Sequence, residues 1–504
     1  MSNNFYQVVP IRERQSTSAT KMENGSSRSY FEKFLYYLSY ITVEPTLVLY
    51  MLAFMTTSVI EQSFYVYKAC TVNHGYNKTI CDNINDKQYA NFTKQVQTTT
   101  ATFHLWNSVA GHFFPIILAL FMGAWSDRRG RKLPLLIGLG GKLLFSAMMV
   151  VNTLMTEWPV EYVIYTATLP SAISGADVAI FAAAFTYLVD VTSQKNRTIR
   201  VTVLEVCYLA TMPIGVALGS YLFRNVLEKS YTYMFVINTL LMVMAFLYTL
   251  ARLKWRSNPR QRPLSEADNK FFDFFDYNHV TNTIDTLFKK RPSNRRSYLL
   301  ILIVMMALYT FQRDEREMMF MYCQLAFHWT VGQFSTFRTF QSALQDIVLL
   351  VAIPLMSKLF GWRDTIIIMI GAAAHTTARL FYIVADDSLI FYIGGVFASF
   401  GPIVAPVIRS MVSKIVLTSE KGKAFSVLAV ADNAIPLVSG ICYSSLYYST
   451  LNSYHSALFY LTMVTQIGVF LLIMYIHLKT DKEEFDRDIR EMDDISPDEN
   501  DRFN

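Results

Sequence analysis

From about residue 44 onward, long apolar runs are separated by short polar breaks, and the runs are too long and too continuous for half-buried strands or one-sided surface helices. A hydrocarbon core of about 30 Å needs about 20 mostly apolar residues per helix. About twelve runs reach that length, near 44–66, 101–124, 133–154, 161–189, 201–224, 231–251, 298–321, 335–358, 364–385, 389–412, 424–449 and 456–478. Lipid offers backbone N–H and C=O groups no partner, so such runs are expected as helices and the protein as an all-α membrane protein. The seventh run is the least regular, with Arg313, Asp314, Glu315, Arg316 and Glu317 toward its end. This cluster is expected at an outer helix end, with its charges paired among themselves.

The breaks carry the orientation. Lys and Arg concentrate after runs 2, 4, 6, 8 and 10: Arg128, Arg129, Arg131 and Lys132; Lys195, Arg197 and Arg200; a basic stretch from Arg252 to Arg296; Lys358 and Arg363; Lys414, Lys421 and Lys423. Basic short loops stay in the cytosol, so an even number of spans puts both termini there. The first outer loop, roughly 67–100, holds Asn77-Lys78-Thr79 and Asn91-Phe92-Thr93, both glycosylation acceptors in a loop of the right sidedness. Asn24 and Asn196 also begin acceptor triplets but fall on the cytosolic side. Cys70, Cys81 and Cys323 fall outside, where disulfides persist. Three is an odd number, so one bridge from the first loop to Cys323 and one free thiol are expected.

Composition agrees and excludes alternatives. Of 504 residues, 52% are hydrophobic and 17% charged, against roughly 45–50% and 25% in soluble domains. Mean hydropathy is only +0.26, so polar stretches dilute very apolar ones. The net charge of +6 is spread over short loops while 481–504 is acidic, which argues against nucleic-acid binding. The five Cys show no metal spacing. With no Ser/His/Asp grouping, metal motif or phosphate loop, neither an enzyme nor a bound cofactor is expected. Residues 2–30 have no apolar core, so no cleaved signal peptide is expected before the first run.

The chain then divides into a disordered cytosolic N-tail (1–42), a first six-span bundle (43–251), a cytosolic linker (252–296), a second bundle (297–479) and an acidic cytosolic C-tail (480–504). The halves look related. Arg200 lies thirteen residues before Pro213, Lys423 thirteen before Pro436, and Gly130-Arg131-Lys132 has a counterpart in Gly361-Trp362-Arg363. Internal repeats of this kind are a transporter trait.

The sharpest motif lies between spans 2 and 3: Gly123-Ala124-Trp125-Ser126-Asp127-Arg128-Arg129-Gly130-Arg131-Lys132. Gly130 permits a tight turn; Asp127 can cap a facing helix or pair with Arg131. The stretch resembles the gating signature of the major facilitator superfamily throughout. A narrower resemblance, to solute carrier family 46 and its proton-coupled folate transporter, rests on Tyr187-Leu188-Val189-Asp190, Asn196-Arg197-Thr198-Ile199-Arg200, Leu204-Glu205 and Ala405-Pro406-Val407-Ile408-Arg409-Ser410. It implies two pseudo-symmetric six-helix bundles of twelve transmembrane helices and a gate at Gly123, Asp127, Arg128, Gly130, Arg131 and Lys132. It further implies a proton-coupling carboxylate at Glu205 and an anion-binding cation at Arg409. Span 7 lacks the His that the folate transporter carries there, Asp177 stands one position out of register with that transporter's acid, and Cys323 is similarly displaced.

Charge inside a membrane is costly and marks function or a partner. Asp177, on a helix loosened by Ser174-Gly175, joins Glu205 as a proton-coupling candidate. Arg379, one turn after His375, joins Arg409 as a substrate-binding candidate, because a guanidinium suits a carboxylate. His104 and His112 read as satisfied polar residues rather than relays. Pro213, Gly215, Gly219, Pro436 and Gly440 permit close packing and bending. The expected function is secondary active transport of a small organic, anionic solute by alternating access, with protons moving in the same direction. An uncoupled facilitator and a transporter-like receptor, whose tails recruit a cytosolic adaptor, are the alternatives. Tyr6-Gln7-Val8-Val9 has the form of an endocytic sorting signal, yet the plasma membrane is expected over the endolysosomal membrane.

Overall fold

The computed structural model describes residues 41–479 except 193, 258–260, 267–268, 270–272, 276–294, 417–420 and 452. The chain divides into two units, 1–42 and 43–504, and everything below concerns the second. Residues 1–40 and 480–504, where the sequence puts the tails and the Tyr6 motif, lie outside the described set, as does most of the linker after residue 266.

Each of the twelve apolar runs is helical. The first half contains α1 (Glu44–Lys68), α2 (Ala90–Arg129), α3 (Lys132–Leu154), α4 (in two pieces, Leu169–Ile173 and Ala176–Asp190), α5 (Gln194–Tyr221) and α6 (Tyr231–Arg252). The second contains α7 (Arg295–Thr310 and Glu315–Phe327), α8 (Val331–Pro354), α9 (Asp364–Ile383), α10 (Ser388–Ala398 and Val404–Ile415), α11 (Lys421–Thr450) and α12 (Ala457–Lys479). No strand occurs among the described residues.

Corresponding helices break at corresponding places. α4 is interrupted at Ser174-Gly175, where Gly175 has φ +81°, and α10 at the 3-10 turn Gly401–Ile403. Glycines let neighbours approach those breaks: a Cβ on Gly141 of α3 would collide with Ser174, and one on Gly401 would collide with His375 of α9. The same device joins α5 to α1, because a Cβ on Gly219 would strike the Thr56 carbonyl.

Within the halves, α1 packs on α5 and α6, α3 on α4 and α6, and α9 on α10 and α12. Between them, the main contacts are α2 with α11 and α5 with α8. Nine helices among the described residues are long and apolar enough to cross a membrane. α2, α7 and α11 meet one another at the seam. Their polar residues therefore face the other half instead of lipid. Gln97 of α2 donates to the Met321 carbonyl (2.9 Å) and the Gln324 amide oxygen (3.1 Å) of α7, and accepts from Tyr447 of α11 (2.9 Å). Gln324 donates in turn to Asn85 of the first outer loop (2.7 Å). Deeper in, Ser108 of α2 donates to the Pro436 carbonyl of α11 (3.2 Å).

The outer loop corrects the expected disulfide. Cys70 is bonded to Cys81, and Cys323 is a buried free thiol. The short helix Lys78–Asp82, whose Asn77 cap accepts from the Thr79 N–H, turns Cys81 back to within 5.8 Å (Cα to Cα) of Cys70, inside the range a bridge spans. Cys323 lies instead among the packed apolar side chains of α7. Asn77 and Asn91 are both exposed.

Under denaturing, non-reducing conditions, Cys207, Cys323 and Cys442 should react with maleimide. Cys323→Ser should remove one label without freeing another, whereas release of a loop thiol would mean that Cys323 is bridged.

Candidate functional site

The loop between α2 and α3 is held almost entirely by hydrogen bonds to helix ends and to the linker. Gly130 leaves α2 with φ +108°, and a Cβ there would lie 2.5 Å from the Trp255 carbonyl oxygen, so the turn and the space both require glycine. Arg131 Nε lies 3.1 Å from Asp190 Oδ2 at the end of α4, and its guanidinium donates to Ser126 Oγ (2.5 Å). Lys132 donates to the Leu250 and Leu253 carbonyls, both at 2.7 Å, groups that the end of α6 leaves without helical partners. Its Nζ also sits 4.4 Å from the centre of the Trp255 ring. A Cβ on Gly123 would meet nothing within 4 Å, its carbonyl accepts from Ser126 Oγ (2.8 Å), and the Asp127 side chain lies outside the described set.

The middle of the linker is strapped against this loop and the end of α2. Arg129 grips Asp273 through two hydrogen bonds (2.9 and 2.6 Å), Trp125 Nε1 donates to the same carboxylate (3.0 Å), and Arg128 donates to the Asp273 carbonyl (3.0 Å). Phe274 packs against Phe121 and Trp125, and Phe275 against Phe121. The bonds from Arg129 hold the Asp273 carboxyl below the usual carboxylate range. The sequence reads this segment as a spacer, but Phe274 and Phe275 give it a foothold on α2.

Of the charges inside the helices, Glu205 and Arg409 stand on opposite halves within electrostatic reach of each other, without forming an ion pair. Both are exposed at positions well inside their helices, and Arg409 of α10 acts electrostatically on Glu205 of α5. Arg409 also donates to Asp432 of α11 (2.7 Å), which accepts from Thr310 of α7 (2.5 Å). Tyr208, one turn beyond Glu205, lies in the field of Glu205, Arg409 and Asp346 of α8.

Arg379 is placed differently from expectation. It is 3% exposed and forms two hydrogen bonds to Glu315 (3.2 and 2.9 Å), whose carboxylate also accepts from Thr462 of α12. The pair is enclosed between α7, α9 and α12, which it joins, and Arg379 Nη1 is buried without a hydrogen bond among the described residues. The Arg313–Glu317 cluster is likewise no exposed helix end. It occupies the 3-10 turn Phe311–Asp314 and the start of the second piece of α7, with Asp314 and Glu315 buried. Its partners are on other helices: Arg379 for Glu315, Ser439 for Asp314, and His104 for Glu317. An internal pairing scheme had no means of finding these, although five consecutive ionisable residues in an apolar run are the signal that such partners exist.

Asp177 sits at the break of α4, paired with Lys142 of α3 (2.9 Å) and accepting a short hydrogen bond from Tyr50 of α1. Asp177 and Lys142 line a cavity of about 160 Å³ within the first half. Glu61, His112 and Ser171 also face it, and Glu317 of α7 contributes from the second half. Among the described residues, no grouping has the make-up of a metal site.

A model of the Major Facilitator Superfamily matches residues 33–337. Among curated proteins, the chain is 26% identical over 425 residues to the "Probable peptidoglycan muropeptide transporter SLC46" of Drosophila melanogaster, covering 82% of this chain and 80% of the other. It is 24% identical to the "Lysosomal proton-coupled steroid conjugate and bile acid symporter SLC46A3" of Gallus gallus (82% and 88% covered) and 24% identical to the proton-coupled folate transporter of Bos taurus (81% and 86%). Among solved structures, the human organic anion transporter MFSD10 superposes with a TM-score of 0.60 at 16% identity (86% and 97% covered), and a D-xylose-proton symporter with 0.62 at 12% (87% and 97%). At that identity the structures speak to the fold alone, and the fold is the one expected from the sequence.

The Asp273 carboxyl is held low by Arg129, so the strap is complete above the ordinary carboxylate pKa and loosens only as pH falls through the lowered value. Labelling of a cysteine at position 274, divided at each pH by that of the denatured protein to cancel the thiolate's own pH dependence, should therefore be equal at pH 7.5 and pH 5.5, and Asp273→Asn should raise it several-fold at both.

Proposed function

Because the chain belongs to the major facilitator superfamily, and is thus a multi-pass membrane transporter of small molecules and not an enzyme, we propose that it couples inward movement of an organic anion to a proton. The observation that carries this reading is Glu205 of one half lying in the field of exposed Arg409 of the other.

A guanidinium offers a planar pair of donors to a carboxylate or similar anion. Arg409 has one nitrogen on Asp432 and remains 48% exposed, leaving donors for a ligand. An anion bound there would face ionised Glu205 at close quarters, and a proton on Glu205 removes that repulsion. Anion and proton then favour each other's binding, and by linkage the preference is mutual. Both partners are on helices from different halves, so occupancy changes the balance between the halves, as alternating access requires. The relatives' names mention a folate and bile acids, both acidic solutes, and proton coupling recurs among them. Residence in the plasma membrane is part of the same reading. One relative carries a lysosomal designation, so surface biotinylation is the measurement that separates the two sites.

Glu205→Gln should bring the ratio of uptake at pH 5.5 to uptake at pH 7.5 down to about one, while unchanged acid stimulation would remove Glu205 from the coupling step. Arg409→Ala should abolish uptake of an anionic substrate at either pH, with surface expression retained.

A further inference from the structure

The seam between the halves contains one ionisable contact that the transport reading does not use. His104 of α2 is 1% exposed, and its Nδ1 lies 3.1 Å from Glu317 Oε2 of α7. No other ion-pair partner of either side chain occurs among the described residues. The Glu317 side chain is 39% exposed toward the cavity, while neither ring nitrogen of His104 has an aligned hydrogen bond there, so the contact is an ion contact and the buried imidazole is otherwise unsatisfied. The contact lies on the outer side of the Ser108 to Pro436 bond and just inside the Gln97 cluster, so it is part of what closes the outer face.

The surrounding groups are otherwise committed. On α1, Glu61 accepts from Tyr65 (2.6 Å), and the Tyr65 ring stands edge-on to the imidazole with centres 5.7 Å apart. Lys142 of α3 is neutralised by Asp177 of α4. His112, two turns along α2, has its Nδ1 2.9 Å from the Ser108 carbonyl oxygen. On α7, Asp314 accepts from Ser439, while Arg313 and Arg316 flank it on the turn. Hence Glu61 and Glu317 face one cavity whose single lining ammonium is already spent on Asp177. A carboxylate in that position requires a proton or a cation, and the nearest group able to supply one is His104.

We propose that His104 and Glu317 together bind one proton that closes the outer side, a gating proton distinct from the coupled proton on Glu205. With the proton present the contact is an imidazolium–carboxylate pair joining α2 to α7. Without it, a neutral ring faces a bare carboxylate and the attraction across the seam is lost. The proton is taken from the outer water while the halves are parted and is given back when the pair next separates. This rests on the alternating-access reading above and revises the sequence-based view of His104 as a merely satisfied polar residue. It also places a histidine against span 7, which itself lacks one before its charged cluster.

The test uses the full chain in cells, with Cys207, Cys323 and Cys442 replaced by serine and Thr100→Cys as reporter, a fully buried α2 position one turn before His104 whose hydroxyl bonds only its own helix, labelled by a membrane-impermeant maleimide. The labelling rate is divided at each pH by that of the same cysteine in the denatured protein, so that the pH dependence of the thiolate itself cancels, and the rates of all variants are normalised likewise. In this background, the normalised rate should fall several-fold from pH 7.5 to pH 5.5, the limit for one linked proton being roughly tenfold per pH unit. His104→Gln and Glu317→Gln should label quickly at both pH values. His104→Lys, with a fixed charge, should label slowly at both, which keeps the proposal decidable if the glutamine variants fail to reach the surface. Glu205→Gln should keep the pH-dependent labelling. Persistence of that dependence in His104→Gln, or fast labelling of His104→Lys at either pH, overturns the gating proton. Loss of acid-stimulated uptake in the unmodified protein, with the labelling pattern intact, would instead count against proton coupling through Glu205.

Discussion

An ionised side chain at mid-membrane depth has no water to solvate it, so it must find an opposite charge, a set of hydrogen-bond donors or an aqueous cavity. Helices α2, α7 and α11 carry polar groups that satisfy this by turning toward one another. The seam between the halves is therefore a place where charge and hydrogen bonds collect. In an ordinary soluble fold the apolar groups would collect at such a contact. Here lipid already accommodates them, and the association of the halves rests on Gln97, Tyr447, Ser108 and His104, with small residues admitting close approach.

The broken helices follow from the same constraint. A break exposes backbone N–H and C=O groups, tolerable at membrane depth only inside protein or beside a cavity. α4 breaks at Ser174-Gly175, next to Asp177 and the cavity; α7 breaks at Phe311–Asp314, with the Arg313–Glu317 cluster on the turn and the residues just after it; α10 breaks at Gly401–Ile403, two turns from Arg409. Helix interruption and intramembrane charge thus occur together, and Gly141 and Gly401 supply the room that the irregular backbone needs. Corresponding breaks in α4 and α10 also give the repeated halves a structural counterpart to the offsets in sequence.

Spans, orientation and the gating loop are legible in the sequence because each depends on residues close together in the chain: a run of apolar side chains, a cluster of Lys and Arg, a glycine in a turn. Partner choice is not. Arg379 reaches Glu315 64 positions away, and Gln97 reaches Gln324 227 positions away. Cys81 illustrates the opposite error, since parity of the outer cysteines suggested a distant partner where a short capped helix supplies a near one 11 residues off. The contrast between Arg409 and Arg379 shows what decides function in such a chain. Both are arginines in the second half on helices rich in small residues, and only exposure, 48% against 3%, distinguishes a cation available to a ligand from one sealed into the frame.

Separate proton sites on the two faces would give the transporter something that one site cannot. A single carboxylate beside the substrate cation can make anion binding depend on pH, but it does not by itself bias which side is open. A second ionisable pair, between helices that part when the outer face opens, biases the conformational balance without touching the ligand. On the proposed reading the gating pair must lie where the halves meet, as His104 and Glu317 do, and the substrate-linked acid must lie in the field of an exposed cation, as Glu205 does. Both positions are products of the same rule, that charge inside the membrane goes where it can be matched. When the match lies between moving halves, its strength depends on protonation, and the constraint that builds the fold also makes it respond to pH.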